Sequence, residues 1–229
     1  MLAVDPILAL MLLTPQRSAC CSLYLITPPL SVADGDAFAK TFAEVVEAAA
    51  IACTLVRLAP GTQADAKSVL APVLRAAIAA GCALLIENDS RLAARLGADG
   101  VHVDGAGADL AAAVETLKPE RIVGAGSLRT RDDAMTAGEL GADYVMFGEP
   151  RRGAPAREPR SLVERVGWWA EIFETPCVAY ADTIAEVRAL AQAGADFVAL
   201  GEAIWGRPSP AEAAREAQAQ LARAGAGAL

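Results

Sequence analysis

Histidine is nearly absent from this chain, with one residue in 229, at position 102. That scarcity speaks against a zinc centre, which draws its ligands from histidine and cysteine at short, fixed spacings. Cysteine is sparse as well: five residues, at positions 20, 21, 53, 82 and 177, with no CxxC pair among them. Three of the five sit inside apolar runs, the pattern of reduced core thiols and not of a disulfide framework. There is no basic excess. Acidic residues outnumber basic ones by 28 to 20 and leave a net charge of −8, which repels nucleic acid and anionic membrane surfaces. The apolar run near the amino end, Ile7 to Leu13, is seven residues long, against the roughly 20 needed to span a bilayer. It is preceded by Asp5 and by no basic residue, so it reads poorly as a secretory signal. Residues 1–22 are expected to be an extension or docking segment, and the compartment to be the cytoplasm.

What the chain does have is a repeated phrase. Gly97-Ala98-Asp99, Gly141-Ala142-Asp143 and Gly194-Ala195-Asp196 each follow an Ala/Leu/Arg-rich stretch of helical period, and each leads at once into a short apolar run. A helix closed by a glycine and followed directly by an apolar β-branched run is the helix-to-strand junction of a parallel sheet. Gly81 to Ile86 is a looser fourth copy. Counting such runs predicts eight strands: Leu23 to Ile26, Cys53 to Leu58, Ala83 to Ile86, Gly100 to Val103, Ile122 to Ala125, Tyr144 to Phe147, Cys177 to Tyr180 and Phe197 to Leu200. Helical patterns lie between them, for example over Phe38 to Ala50, Ser68 to Ala80 and Thr183 to Ala193, with a last one over Pro210 to Ala222. Eight βα units within about 200 residues favour a single (β/α)8 barrel, here over residues 23–222 with a short tail at 223–229, above an open doubly wound sheet.

Barrels keep their chemistry at the carboxyl ends of the strands, so the residues just past each strand are the ones to read. Asn88 and Asp89 end the third strand, and Asp104 and Asp109 follow the fourth. Carboxylates and an amide of that kind suit a hard cation such as Mg²⁺ whose shell a phosphate completes, while Asn88-Asp89 equally suits a helix N-cap. Arg57 closes the second strand, either as a forked phosphate ligand or as an ion-pair partner of Glu87 or Asp89. His102 lies within an apolar strand, where a hydrogen-bonded core residue is the plainer expectation. The loop from Arg151 to Arg160 carries four arginines in an acidic chain, either as an anion lid or as a solvated loop. Trp168-Trp169 is expected to pack against the barrel or against another copy in a homo-oligomer.

The segments Leu23-Tyr24-Leu25-Ile26-Thr27, Leu84 to Asp89, Gly97 to His102, Gly141 to Val145 and Gly148 resemble the thiamine phosphate synthase family, over about Leu23 to Ile204. That family joins hydroxymethylpyrimidine diphosphate to a thiazole phosphate on a barrel with Mg²⁺ and releases diphosphate. The resemblance implies Arg57 and Asn88 as diphosphate ligands, with Ser127 after the fifth strand beside them. It implies Asp89 as one Mg²⁺ ligand and Asp104 or Asp109 as the second. Phosphate contacts would fall to Gly148, Arg151, Arg152, Asp182, Gly201 and Glu202. The small-molecule partners implied are thiamine precursors.

The pattern also departs from the family's. Leu55 and Ala59 stand where the family has glutamine and lysine, and the arginine loop replaces a Thr-x-Thr-Lys segment. Ala181-Asp182 and Glu202 stand in place of twin glycines and a serine, which sets carboxylates where a phosphate is expected. Leu128 stands where related thiazole tautomerases carry histidine. These departures leave room for a catalytically altered relative that binds a thiamine precursor or a partner protein, and for a barrel enzyme acting on a less phosphorylated substrate.

Overall fold

The computed structural model of the chain describes residues 21–149 and 159–225. Arg151, Arg152, Cys20 and the Ile7 to Leu13 segment lie outside the described residues. Eight parallel strands close into a barrel in sequence order. They are β1 (Ser22–Leu30), β2 (Ile51–Leu58), β3 (Ala83–Glu87), β4 (Gly100–Asp104), β5 (Ile122–Gly126), β6 (Tyr144–Phe147), β7 (Cys177–Ala181) and β8 (Phe197–Leu200). Ring closure is made by β1 against β8, with Leu23 opposite Val198 and Leu25 opposite Leu200.

Around the barrel run α1 (Gly35–Ala48), α2 (Ala66–Ala80), α3 (Ser90–Leu96), α4 (Ala108–Leu117), α5 (Arg131–Glu139) and α6 (Pro159–Ile172). A single turn of 3₁₀ helix (Ile184–Glu186) leads into α7 (Val187–Gln192), and α8 (Glu202–Trp205) and α9 (Pro210–Gly225) complete the ring. The predicted order of elements is the observed one. The last helix runs to Gly225, and the helix expected over Thr183 to Ala193 opens with the 3₁₀ turn. None of the helices among the described residues is long and apolar enough to cross a membrane.

Most strands are apolar on both faces, and the two faces serve different cores. Tyr24, Ile26, Leu55, Leu85, Tyr144, Met146 and Val178 fill the barrel interior. Leu23, Leu25, Val56, Leu84, Ile86, Val145 and Ala179 face the helices. Side chains on a strand alternate between faces, so an unbroken apolar run is what a strand between two cores requires.

The repeated Gly-Ala-Asp phrase has a definite structural task. The glycine ends a helix in the left-handed region, as at Gly97 with φ 69°, where a side chain is disfavoured. The alanine is buried beneath the sheet, as Ala98, Ala142 and Ala195 are. The aspartate ties its strand to the one before. Asp99 donates its N–H to Leu84 O at 2.9 Å and accepts the Leu84 N–H on Oδ2 at 2.7 Å. Asp143 does the same with Val123, at 2.8 Å both ways. Backbone groups at the start of a buried strand must find partners, and these carboxylates supply them. The three acids thus hold the amino-terminal rim, opposite the end where barrels place their chemistry.

Of the described cysteines, Cys21, Cys53, Cys82 and Cys177 are free thiols. Burial pushes Cys82 up to about 12, so it is an unreactive core thiol. Trp169 is fully buried on α6, stacked on Phe173 at 4.1 Å between ring centroids, with its Nε1 donating to Thr175 O. Packing against the barrel accounts for Trp169.

Candidate active site

At the carboxyl ends of the strands lies a cavity of about 550 Å³. Its inner surface is largely apolar, with Ile26, Leu55, Met146 and Tyr180, and its rim is charged, with Arg57, Glu87, Asp104, Arg129, Glu149 and Glu202. Trp205 from α8 forms one side and is pinned by its Nε1 donating to Ile26 O at 2.8 Å.

Arg57, at the end of β2, is held by its backbone N–H donating to the buried Thr27 hydroxyl at 3.0 Å. Its Nε pairs with Glu87 Oε1 at 2.9 Å, with side chains 39% and 27% exposed. The ion pair read as one alternative from the sequence is therefore present, while the guanidinium also lines the cavity. Partial burial raises Glu87 above the usual carboxylate range; Asp104 adds to the rise and Arg57 opposes it. Half-open pairs of this kind contribute little to stability, about 1 kcal/mol or less.

Asp104 is the hub of the rim. Its Oδ2 accepts from Asn88 Nδ2 at 2.8 Å, its N–H donates to Asn88 Oδ1 at 2.8 Å, and its Oδ1 accepts from Ser127 Oγ at 2.8 Å. Both partners take left-handed backbone conformations, each with φ 54°. A non-glycine residue holds that conformation only where its surroundings repay the cost. For Ser127 the return is double: the hydroxyl reaches Asp104, and the N–H is aimed at Glu149 Oε1.

Beneath the rim, His102 is 2% exposed and its Nδ1 meets Tyr144 OH at 2.7 Å. Tyr144 OH in turn meets Tyr24 OH at 2.9 Å. Burial lowers the imidazole to about 4 and raises both phenols well above 10, so all three are neutral near pH 7. The core reading of His102 fits this chain of hydrogen bonds, but the ring also lines the cavity. Gly126 leaves the space between: a methyl group there would come within 2.2 Å of His102 Nε2 and 2.8 Å of Glu149 Oε1.

The other sequence-selected residues divide. Gly201 and Glu202 line the cavity. Gly148, with φ 90°, turns the chain after β6. Asp182 is exposed after β7, with its N–H donating to Glu186 Oε2 at 3.2 Å. Asp89 caps α3, accepting the Leu92 N–H at 2.8 Å, and Asp109 is exposed in the first turn of α4. Neither Asp89 nor Asp109 lines the cavity. Among the described residues no group of three or more His, Cys, Asp or Glu side chains is arranged to hold a metal. The rim nevertheless fits an ion that arrives with phosphate. It sets four carboxylates against two guanidinium groups, and Mg²⁺ is commonly held by one or two carboxylates together with phosphate oxygens and water. Asp104, one of the acids selected from the sequence, is among those carboxylates.

Sequence reading missed Arg129 and passed over Glu149. Glu149 falls among the residues that follow β6 but is given no role from the sequence; Arg129 lies three residues past β5, one beyond Leu128, and reading one residue further would have found it.

A (β/α)8 barrel with a charged mouth over a largely apolar interior defines the class. Residues 23–204 match the family described as thiamine monophosphate synthase, and the chain belongs to that family. It is 40% identical over 202 residues to the thiamine-phosphate synthase of Rhodospirillum centenum, covering 85% of this chain and 94% of that one. To the thiamine-phosphate synthase of Hyphomonas neptunium it is 37% identical over 211 residues, covering 88% and 94%. Among solved structures, the thiamine phosphate pyrophosphorylase of Pyrococcus furiosus superposes with a TM-score of 0.76 at 20% identity, covering 91% of this chain and 98% of that one. A 3-hexulose-6-phosphate synthase superposes at 0.68 with 22% identity, over 86% and 99%. These two likenesses concern the fold.

Proposed function

We propose that this protein is a thiamine phosphate synthase, which joins hydroxymethylpyrimidine diphosphate to a thiazole phosphate and releases diphosphate. What carries this reading is similarity over nearly the whole length of relatives bearing that name. The cavity is consistent with it: an apolar interior suits a heteroaromatic ring, and Arg57 and Arg129 stand at the rim where a diphosphate tail would lie. The guanidinium groups favour the diphosphate more as its negative charge grows during departure, which is electrostatic catalysis. Asn88 and Ser127 act by fixing Asp104. Asp104 would hold Mg²⁺, which when bound supplies charge neutralisation for the diphosphate. The small-molecule partners are thiamine precursors, and the compartment is the cytoplasm; nucleic acid and membrane are not partners in this reading. The test is direct: purified protein, Mg²⁺ and both substrates should yield thiamine phosphate and diphosphate in equal amounts, and their absence rejects the proposal.

A second reading rests on the β7–β8 side. There the Glu186 carboxylate already accepts the Asp182 N–H, and Glu202 adds another carboxylate to the cavity, so a phosphate would meet negative charge. An acceptor without phosphate fits that edge. Faster turnover of the thiazole alcohol than of its phosphate would favour this reading.

A further inference from the structure

Glu149 stands two residues past β6, in the cavity lining, and is not among the residues that handle the diphosphate above. Its Oε1 accepts the N–H of Ser127, and a methyl group on Gly126 would meet both this oxygen and His102 Nε2, so the two atoms face the same small space. The neighbouring interior is apolar, from Ile26, Leu55 and Met146. Two polar atoms thus face one place at the edge of the apolar interior, an arrangement that orients a ring by its edge. The Tyr24–Tyr144–His102 chain accommodates either direction of donation; the direction in which Tyr144 donates to His102 Nδ1 puts the imidazole proton on Nε2. In that tautomer the cavity is offered an N–H donor and a carboxylate acceptor.

We propose that Glu149 is the specificity-determining residue for the pyrimidine, accepting a hydrogen bond from its exocyclic amino group while His102 Nε2 donates to the adjacent ring nitrogen. An aminopyrimidine presents a donor beside an acceptor on one edge, the complement of this pair. This rests on the reading of the cavity as the site for a pyrimidine diphosphate, and it adds a role in the step itself. As the methylene C–O bond breaks, its electron pair leaves with the diphosphate, and positive charge spreads over the ring onto the amino nitrogen. The thiazole nitrogen lone pair then forms the new C–N bond, with no proton gained or lost. A carboxylate hydrogen-bonded to that amino group is best matched to the cationic state.

The test is calorimetric binding of the aminopyrimidine diphosphate and of its analogue with hydrogen in place of the amino group, in the presence of Mg²⁺. Wild type is expected to prefer the amino compound by on the order of a hundredfold, since a site built for a hydrogen-bonding group strongly rejects a ligand lacking it. In Glu149→Gln, where the Ser127 contact can be kept and an NH₂ faces the ligand instead, that preference should collapse to roughly tenfold or less. Arg129→Gln should weaken both ligands alike and leave the ratio standing. Glu149→Ala serves if the glutamine variant does not fold, and a ratio is insensitive to partial unfolding. No binding of either compound to wild type, equal binding of both, or an undiminished ratio in the Glu149 variants overturns the proposal. Selective pyrimidine binding without product when thiazole phosphate is added would instead sink the synthase reading and leave this one standing.

Discussion

Asp196 and Cys177 hold each other by two reciprocal bonds: the Asp196 N–H donates to Cys177 O at 3.0 Å, and the Cys177 N–H donates to Asp196 Oδ2 at 2.8 Å. The same ring of bonds recurs at Asp99 with Leu84 and at Asp143 with Val123. A phrase repeated three times in the sequence is therefore a strand-to-strand clamp, placed at the barrel end away from the cavity.

The clamp predicts the effect of removing it. Asp196→Ala leaves the Cys177 N–H without its side-chain partner in a partly buried place, a loss of about 1–3 kcal/mol. For a chain of this size that lowers the melting midpoint by roughly 2–10 °C. Asp196→Asn keeps an acceptor oxygen and should lose less. Thermal denaturation of the two variants checks the order.

Metal dependence should separate Asp89 from Asp104. The Asp89 carboxylate is engaged as the α3 cap, so Asp89→Ser, another good N-cap, should keep both the melting midpoint and its rise on adding Mg²⁺ with diphosphate. Asp104→Asn should abolish most of that rise, because only a ligand bound by the native state raises the midpoint. Loss of the rise in Asp89→Ser would return Asp89 to the metal site.

Gly126→Ala should damage the pocket floor. Its methyl group would lie 2.2 Å from His102 Nε2, so the imidazole or the strand must move, at about 1–3 kcal/mol for overpacking of this kind. Melting should fall by a few degrees, and pyrimidine binding by far more than the stability loss explains. Unchanged binding would show that the pocket lies elsewhere.

His102 carries a pH dependence. Its folded value of about 4 lies below the ordinary 6.5, so between those values the unfolded chain binds the extra proton. The contribution is fully present above about pH 6.5 and is lost as the pH falls toward 4, on the order of 3 kcal/mol in all. Denaturation of wild type and His102→Gln from pH 7 to 4 checks this: the variant should lose stability less steeply. Parallel curves would exclude burial as the cause of the shift.

Much of this molecule was legible in its sequence. Glycine-closed helices leading into apolar runs determine a parallel barrel, because a strand buried on both faces must be apolar throughout and a left-handed helix end favours glycine. Arg57, Asp104, Ser127 and Glu202 could be placed at the mouth because each follows a strand. The sequence could not choose between Asp89 as cap and Asp89 as ligand, since both uses call for the same carboxylate at the same position. The tertiary structure shows the cap, by directing one carboxylate oxygen to the Leu92 N–H. It also brought together His102, Gly126, Ser127 and Glu149, which belong to or follow three successive strands, β4 to β6. Barrel closure sets which residues of neighbouring strands stand side by side, and the left-handed turn at Ser127 aims the N–H that holds Glu149; neither follows from local pattern.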